Sequence, residues 1–312
     1  MSKKAAMIGA GLIGRSWAMV FARAGWAVAL YDAAPAQLAD ARDYIAKSLR
    51  EQQASGLCDD ASAAQARISY VESLEGAVEG AVWVQEQLPE KLELKRDMFA
   101  RLDMLAPSTA ILASSTSAIP ASQFTEALAG RARCLVAHPV NPPHLVPVVE
   151  LGGAPWTAAD TVERAHALMT AIGQVPIVVR REIDGFILNR LQGALLSEAM
   201  RLVSDGYVSP QDLDKTVRDG LGLRWSFMGP FETIELNAPG GVADYCKRYS
   251  GIYRGLAANP AGPEVWDEAH AACVVAALGA PLTASARQAR TAWRDRRLLA
   301  LRAHKHQQPE PD

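Results

Sequence analysis

Cysteine is scarce and scattered: Cys58, Cys134, Cys246 and Cys273 never approach a C-x-x-C spacing. That argues against a disulfide scaffold or a bound metal, and isolated thiols suit a reducing, cytoplasmic setting. Long hydrophobic runs are missing too. No uninterrupted apolar stretch reaches the roughly 18 residues of a membrane span, so no membrane partner is expected. Charge of one sign is also absent. The formal net charge is −2 over 312 residues, without the excess of Lys and Arg that neutralises a phosphate backbone, so nucleic acid is not an expected partner. There is no internal repeat or low-complexity tract. Lys3 and Lys4 ahead of an apolar stretch have the outline of a signal peptide. Arg15 interrupts that stretch and no cleavage-like segment follows, so a buried strand is the expectation.

What is present is an ordinary globular composition, 49% apolar and 21% charged, too hydrophobic and too neutral for a disordered chain. At roughly 100–200 residues per domain, the length fits two domains. In the first half, short apolar runs at Ala5–Ile8, Ala27–Tyr31, Ala81–Val84, Ala110–Ala113 and Cys134–Ala137 read as strands buried on both faces. Between them, Ile13–Ala24, Pro35–Gln53 and Leu92–Leu105 read as helices. This alternation predicts an α/β fold with a Rossmann-like, doubly wound parallel sheet. The texture changes near residue 183. Gly185–Asp205 is apolar over most of a helical circumference, and Pro210–Asp219, Gly229–Tyr249, Pro263–Leu278 and Ala284–His304 are helix-like with no convincing strand. The expected organisation is a nucleotide-binding domain over 1–183, a helical domain over 184–304 and a frayed tail over 305–312.

The strongest local signal is Gly9-Ala10-Gly11-Leu12-Ile13-Gly14, which follows a strand and opens a helix. The first glycine permits a tight turn, the second lets backbone approach a pyrophosphate, and the third lets helix and strand pack closely. The helix start around Leu12 and Ile13 offers free N–H groups and a positive dipole end to phosphates. A second strand ends at Asp32, placed to accept hydrogen bonds from an adenosine ribose, with no Arg directly after it. Against a 2′-phosphate Asp32 sets like charge, which favours NAD over NADP. The plain alternative is a glycine-rich turn beside a surface Asp.

A second constellation is His138-Pro139-Val140-Asn141-Pro142-Pro143, with Glu150 twelve positions after the histidine. Oxidising an alcohol needs a base for the hydroxyl proton as hydride leaves carbon, and histidine suits that task. A carboxylate that fixes its tautomer and stabilises the imidazolium improves it, and Glu150 at the end of an apolar run fits that need. The alternative is a histidine satisfied by a backbone group.

Together, the dinucleotide motif, Ser114-Ser115-Thr116-Ser117, the HPVNPP segment with Glu150, and Gly185-Phe186-Ile187-Leu188-Asn189-Arg190 resemble the L-3-hydroxyacyl-CoA dehydrogenase superfamily, in order and over nearly the whole chain. The resemblance implies a Rossmann domain followed by an all-α dimerisation domain, and hence a homodimer. It implies His138 as catalytic base with Glu150 as its partner, Ser117 and Asn189 on the substrate oxygen, and Glu90 and Lys95 on the nicotinamide side. Taken alone, Ser117 could cap the next helix, Asn189 could be an ordinary polar residue, and Glu90 and Lys95 look like a solvated first turn. Within the superfamily the chain is most similar to the branch of lambda-crystallin and L-gulonate 3-dehydrogenase, through LELK, SSTSAIP, HPVNPPHLVPVVEL and residues 220–249. That implies NAD-dependent oxidation of the 3-hydroxyl of a small hydroxy acid, L-gulonate first, with Arg224 and Trp225 binding substrate. L-Carnitine and L-3-hydroxyacyl-CoA are the alternative substrates, and an NAD-binding structural protein is the alternative of another class.

Overall fold

The computed structural model describes residues 3–308. One eight-stranded sheet, in the order β3-β2-β1-β4-β5-β6-β7-β8, organises the first half of the chain. Its strands are β1 (Lys4–Ile8), β2 (Ala27–Tyr31), β3 (Ile68–Val71), β4 (Trp83–Glu86), β5 (Ile111–Ser114), β6 (Cys134–Pro139), β7 (Val148–Gly153) and β8 (Val175–Val179). Six strands run parallel, whereas β7 turns back antiparallel to β6 and β8 follows β7 in parallel. The strands read from the sequence form the parallel sheet it predicts, and the sheet becomes mixed only at β7, which that reading does not identify.

Helices cover both faces. Those of the first half are α1 (Leu12–Arg23), α2 (Pro35–Ala54), α3 (Ala61–Ala66), α4 (Leu74–Val78), α5 (Leu92–Leu105), α6 (Ser122–Thr125) and α7 (Ala159–Ala171). Successive strand residues point to opposite faces, and here both sets are apolar. Ala5, Met7, Val28 and Leu30 join Trp17, Phe21, Ile45 and Met169 of α1, α2 and α7 in one core. Ala6, Ile8, Val84 and Leu112 join Phe99, Leu102 and Phe124 of α5 and α6 in the other. Burial on both sides is why these strands are legible as continuous apolar runs.

The strands absent from the sequence reading are those for which tertiary pairing outweighs local preference. β7 carries Glu150, Gly152 and Gly153, which suppress a strand signal. β3 and β8 are short, lie at the sheet edges and expose part of their length.

Later helices are α8 (Leu188–Ser204), α9 (Pro210–Lys215), α10 (Gly222–Trp225), α11 (Pro230–Leu236), α12 (Gly241–Ala257), α13 (Glu268–Leu278) and α14 (Ala284–Gln307). The continuous helix predicted over 229–249 is broken between α11 and α12, where Asn237-Ala238-Pro239-Gly240 supplies turn chemistry. The stretch predicted as one helix over 263–278 opens with a separate 3₁₀ turn, Pro263–Trp266.

The chain forms two compact units: Met1–Asn189 with Thr291–Asp312, and Arg190–Arg290. The division differs from a single cut near 183, because the second half of α14 belongs with the nucleotide unit. Leu299 is buried there, and Arg302 Nη2 donates to Gly173 O at 3.2 Å. The last residues of the expected frayed tail, 309–312, lie outside the described residues; α14 itself continues to Gln307. In the second unit, α8, α12 and α13 bury none of their residues within the chain. Among the described residues no helix is long and apolar enough to cross a membrane.

Candidate active site

The glycine loop joins the end of β1 to α1. Gly9 has φ +109°, a conformation that favours glycine, and its N–H donates to Tyr31 O at 2.7 Å. A Cβ on Gly14 would stand 1.8 Å from Gly9 O, so helix and loop meet only because that position is bare. Gly11 is different: a Cβ there would meet nothing within 4 Å in this chain. Its smallness leaves room outside the protein, as a ligand approaching the backbone requires.

α1 begins with no side-chain cap and no acidic residue in its first turn. The first-turn N–H groups at Leu12 and Ile13, which no helix can bond internally, are left for an anion. Asp32 is fixed by backbone on both sides: Ala10 N donates to Oδ2 at 2.8 Å and Ala34 N to Oδ1 at 2.9 Å. These residues fit NAD, with the pyrophosphate on the α1 start and the adenosine ribose at Asp32.

Of the remaining candidates, Glu90 and Ser117 follow the C-terminal ends of β4 and β5, His138 lies near the end of β6, Glu150 on β7, Lys95 on α5 and Asn189 in the first turn of α8. The antiparallel register of β6 and β7 sets His138 directly opposite Glu150. His138 Nδ1 donates to Glu150 Oε2 at 2.7 Å, with both side chains buried. The other carboxylate oxygen, Oε1, accepts from Ile187 N at 2.8 Å and Leu188 N at 3.0 Å. Burial alone would raise the Glu150 pKa, but the bonds from His138, Leu188 and Ile187 outweigh it and hold the carboxyl below its usual range. An ionised Glu150 accepts only, so Nδ1 is the donor in this bond.

One feature here escapes sequence reasoning. Phe186 has φ +49°, a left-handed conformation that costs a non-glycine residue about 1–3 kcal/mol. Its ring lies 5.4 Å from the His138 ring, and the following N–H groups are those that reach Glu150.

Asn189 Nδ2 donates to Ser117 O at 2.8 Å. Among the described residues the Ser117 hydroxyl makes no hydrogen bond, and it is exposed. Glu90 gathers the loop after β5: it accepts from Thr116 Oγ1, from Ser117 N at 3.3 Å, and from Ala118 N and Ile119 N at 3.2 and 3.3 Å. Burial opposes ionisation of Glu90, but the Thr116 bond, the Lys95 charge and the backbone N–H groups prevail and lower its pKa. His138, Glu150, Asn189, Ser117 and Glu90 thus belong to one connected hydrogen-bonded run through the 187–189 backbone.

Lys95 is not the solvated first turn that it resembles in sequence, because it is 1% exposed and paired with the fully buried Glu86 at 3.1 Å. Its Nζ also lies 3.4 Å from Ser114 Oγ. It ties α5 to the ends of β4 and β5, the strands that lead into the loops of Glu90 and Ser117. Arg224 and Trp225 lie on α10 in the second unit, where the Arg224 charge reaches Tyr245 of α12.

Residues 4–183 match the NAD binding domain of 3-hydroxyacyl-CoA dehydrogenase, and residues 185–269 match its C-terminal domain. The chain is 47% identical over 313 residues to the lambda-crystallin homolog of Bos taurus, covering 98% of this chain and 96% of that protein. It is 41% identical over 234 residues to an L-carnitine dehydrogenase of Pseudomonas sp, covering 75% and 72% respectively. Among solved structures it resembles 5-formyl-3-hydroxy-2-methylpyridine 4-carboxylic acid 5-dehydrogenase, described as an NAD+ dependent dismutase. The TM-score is 0.85 at 29% identity, over 99% of this chain and 100% of that one. The chain is an NAD-dependent dehydrogenase of CH–OH donors and belongs to the 3-hydroxyacyl-CoA dehydrogenase family.

Proposed function

We propose that the protein oxidises the 3-hydroxyl of a small hydroxy acid, L-gulonate foremost, to the 3-keto acid. The observation that carries this reading is the buried His138–Glu150 pair at 2.7 Å, continuous through Asn189 with Ser117 beside a dinucleotide-type loop. His138 Nε2 takes the hydroxyl proton, and Glu150 stabilises the imidazolium that results. Ser117 Oγ and Asn189 orient the reacting oxygen. Bound NAD supplies the hydride acceptor, held by Gly9, Gly11, Leu12, Ile13, Gly14 and Asp32, with Glu90 shaping the nicotinamide side.

The similarity to the lambda-crystallin branch supports a free hydroxy acid over a thioester, and Arg224 is the cation we assign to its carboxylate. L-Carnitine is the second reading, favoured by the 41% identity to an L-carnitine dehydrogenase and by Trp225, whose aromatic face suits a quaternary ammonium. Exposed apolar residues on α8, including Leu191, Leu195 and Leu196, support a homodimer through the helical unit. The four cysteines, all free, support a cytoplasmic location.

A panel of L-gulonate, L-carnitine, other hydroxy acids and 3-hydroxybutyryl-CoA, ranked by kcat/KM with NADH formation as readout, tests the assignment. L-Gulonate should lead. A higher kcat/KM for the thioester would overturn the hydroxy-acid reading, and NAD binding without turnover of any of them would overturn the enzymatic one.

A further inference from the structure

β4 carries a glutamine, Gln85, inside the sheet, with none of its surface exposed. Burying a primary amide is costly unless its acceptor and both donors are used, and here they are. Trp83 Nε1 donates to Gln85 Oε1 at 2.9 Å, while Gln85 Nε2 donates to Ser115 Oγ at 2.8 Å and to Ala137 O at 3.1 Å. The indole only donates and the backbone carbonyl only accepts, so the two ends of the amide are oriented independently and agree. Ser115 is held in turn from α1, whose Trp17 Nε1 donates to Ser115 Oγ at 3.1 Å.

What the glutamine reaches is the peptide immediately before His138. The parallel ladder between β5 and β6 ends with Ser114 opposite Val136, whereas β6 runs on to Pro139. At the next residue, Ala137, the backbone carbonyl is met by a side chain from β4, the next strand but one. Gln85 thus supplies a rung where the β5 ladder has stopped. Pro139, one residue past the histidine, has no N–H to offer. Along its other edge β6 is held by β7, which brings Glu150 opposite His138. His138 is therefore gripped twice: Glu150 holds the ring, and Gln85 holds the backbone that carries it.

We propose that Gln85 is a positioning residue for hydride transfer, holding the Ala137–His138 peptide so that the imidazole meets the substrate hydroxyl in reacting geometry. The proposal rests on the reading of His138 as the base. Through Ser115 and Trp17 the same amide ties that peptide to α1, whose start fits the pyrophosphate, so base and cofactor share one frame. A misplacement of about 1 Å can cost on the order of 10²-fold in rate, which gives a single rung measurable weight.

The test uses the full chain with NAD and L-gulonate, read as the single-turnover rate of NADH formation per binding-competent site. NADH titration counts those sites, so that misfolded protein does not enter the rate. Gln85→Met keeps the side-chain length and removes every bond of the amide. Its per-site rate should fall about tenfold, with KM for NAD and for L-gulonate within about twofold of the parent. A purely structural role would lower the number of competent sites and leave the per-site rate alone. Trp83→Phe keeps the aromatic packing and releases only the amide's acceptor, and it should slow the same step about twofold to threefold. In a His138→Ala background Gln85→Met should cost nothing further, because it acts through that residue. Parent per-site rates in both single variants, beside a crippled His138→Ala, would overturn this proposal alone. An equal loss with and without His138 would overturn it as well, by assigning Gln85 to another part of the site. A near-parent rate for His138→Ala would overturn the base reading itself, and the proposal with it.

Discussion

Glu150 divides its two carboxylate oxygens between a side chain and backbone, Oε2 accepting from His138 at 2.7 Å and Oε1 from Ile187 N at 2.8 Å. The proposed base is therefore held by a carboxylate that the backbone entering α8 itself fixes. His138→Ala should lower kcat by roughly 10²–10⁴ while NADH still binds. Glu150→Gln should cost less, because the base survives and only its orientation and charge support are lost. Stopped-flow hydride transfer with NADH fluorescence titration separates the two effects, and a near-normal kcat for His138→Ala would remove the residue from the mechanism.

Asp32 is the residue to which we assign the choice of dinucleotide. NAD should exceed NADP in kcat/KM by at least about tenfold, given like charge against a 2′-phosphate. Asp32→Ala should narrow that gap mainly by losing NAD affinity, read from KM for each cofactor. Equal values for the unmodified enzyme would refute the assignment.

Arg224 should separate charged from uncharged substrates. Losing a charge-assisted bond of about 1.5–3 kcal/mol, Arg224→Met should raise KM for L-gulonate by roughly 10–100-fold and leave NADH affinity unchanged. An equal loss on hydroxy acids and thioesters would assign the residue to folding instead.

The buried Lys95–Glu86 pair predicts a pattern in stability rather than rate. Lys95→Met leaves an uncompensated carboxylate and should cost about 3–5 kcal/mol in urea unfolding. The double change Lys95→Met with Glu86→Leu should recover much of that loss. Additive losses would show that the two charges do not sustain each other.

His144 should make the protein lose stability in acid. Burial first, then Arg23, Arg302 and Arg15, lower its pKa from 6.5 to about 3 in the folded chain. The charged and titratable groups around it are Arg15 and Arg23 on α1, Tyr44, Lys47 and Glu51 on α2, and Asp295, Arg296 and Arg302 on α14. Between these two pKa values the unfolded chain binds more protons than the folded one. The contribution to stability is therefore complete above about pH 6.5 and is lost as pH falls towards 3. From pH 7.5 to 5 the loss should be about 2 kcal/mol. His144→Gln should remove that part of the slope in unfolding measured at both pH values, and an unchanged slope would exclude the residue.

Sequence and structure agree where local chemistry and tertiary demand coincide. Ala27–Tyr31 and Leu92–Leu105 are legible to the residue, because one is apolar on both faces and the other is closed by Pro107. The glycine loop and the His138–Glu150 pair are legible because few other chemistries need those residues at that spacing. What escapes reading is set by distant partners. Lys95 looks like a solvated helix start until Glu86 and Ser114 arrive from two strands to bury it. Phe186 owes its importance to a backbone angle, which residue type does not encode.

The hairpin between β6 and β7 has one further property. Surface connections usually tolerate added or deleted residues, but here the ladder acts as a ruler whose two marks are His138 and Glu150. A slip of one residue would turn the carboxylate through the sheet to the opposite face, and a slip of two would carry it about 7 Å along the strand. The connection over 140–147 is thus free to change in composition but not in any way that shifts the ladder. It is a loop with a fixed meter, and any change in its length must leave the two strands in the register that sets His138 opposite Glu150.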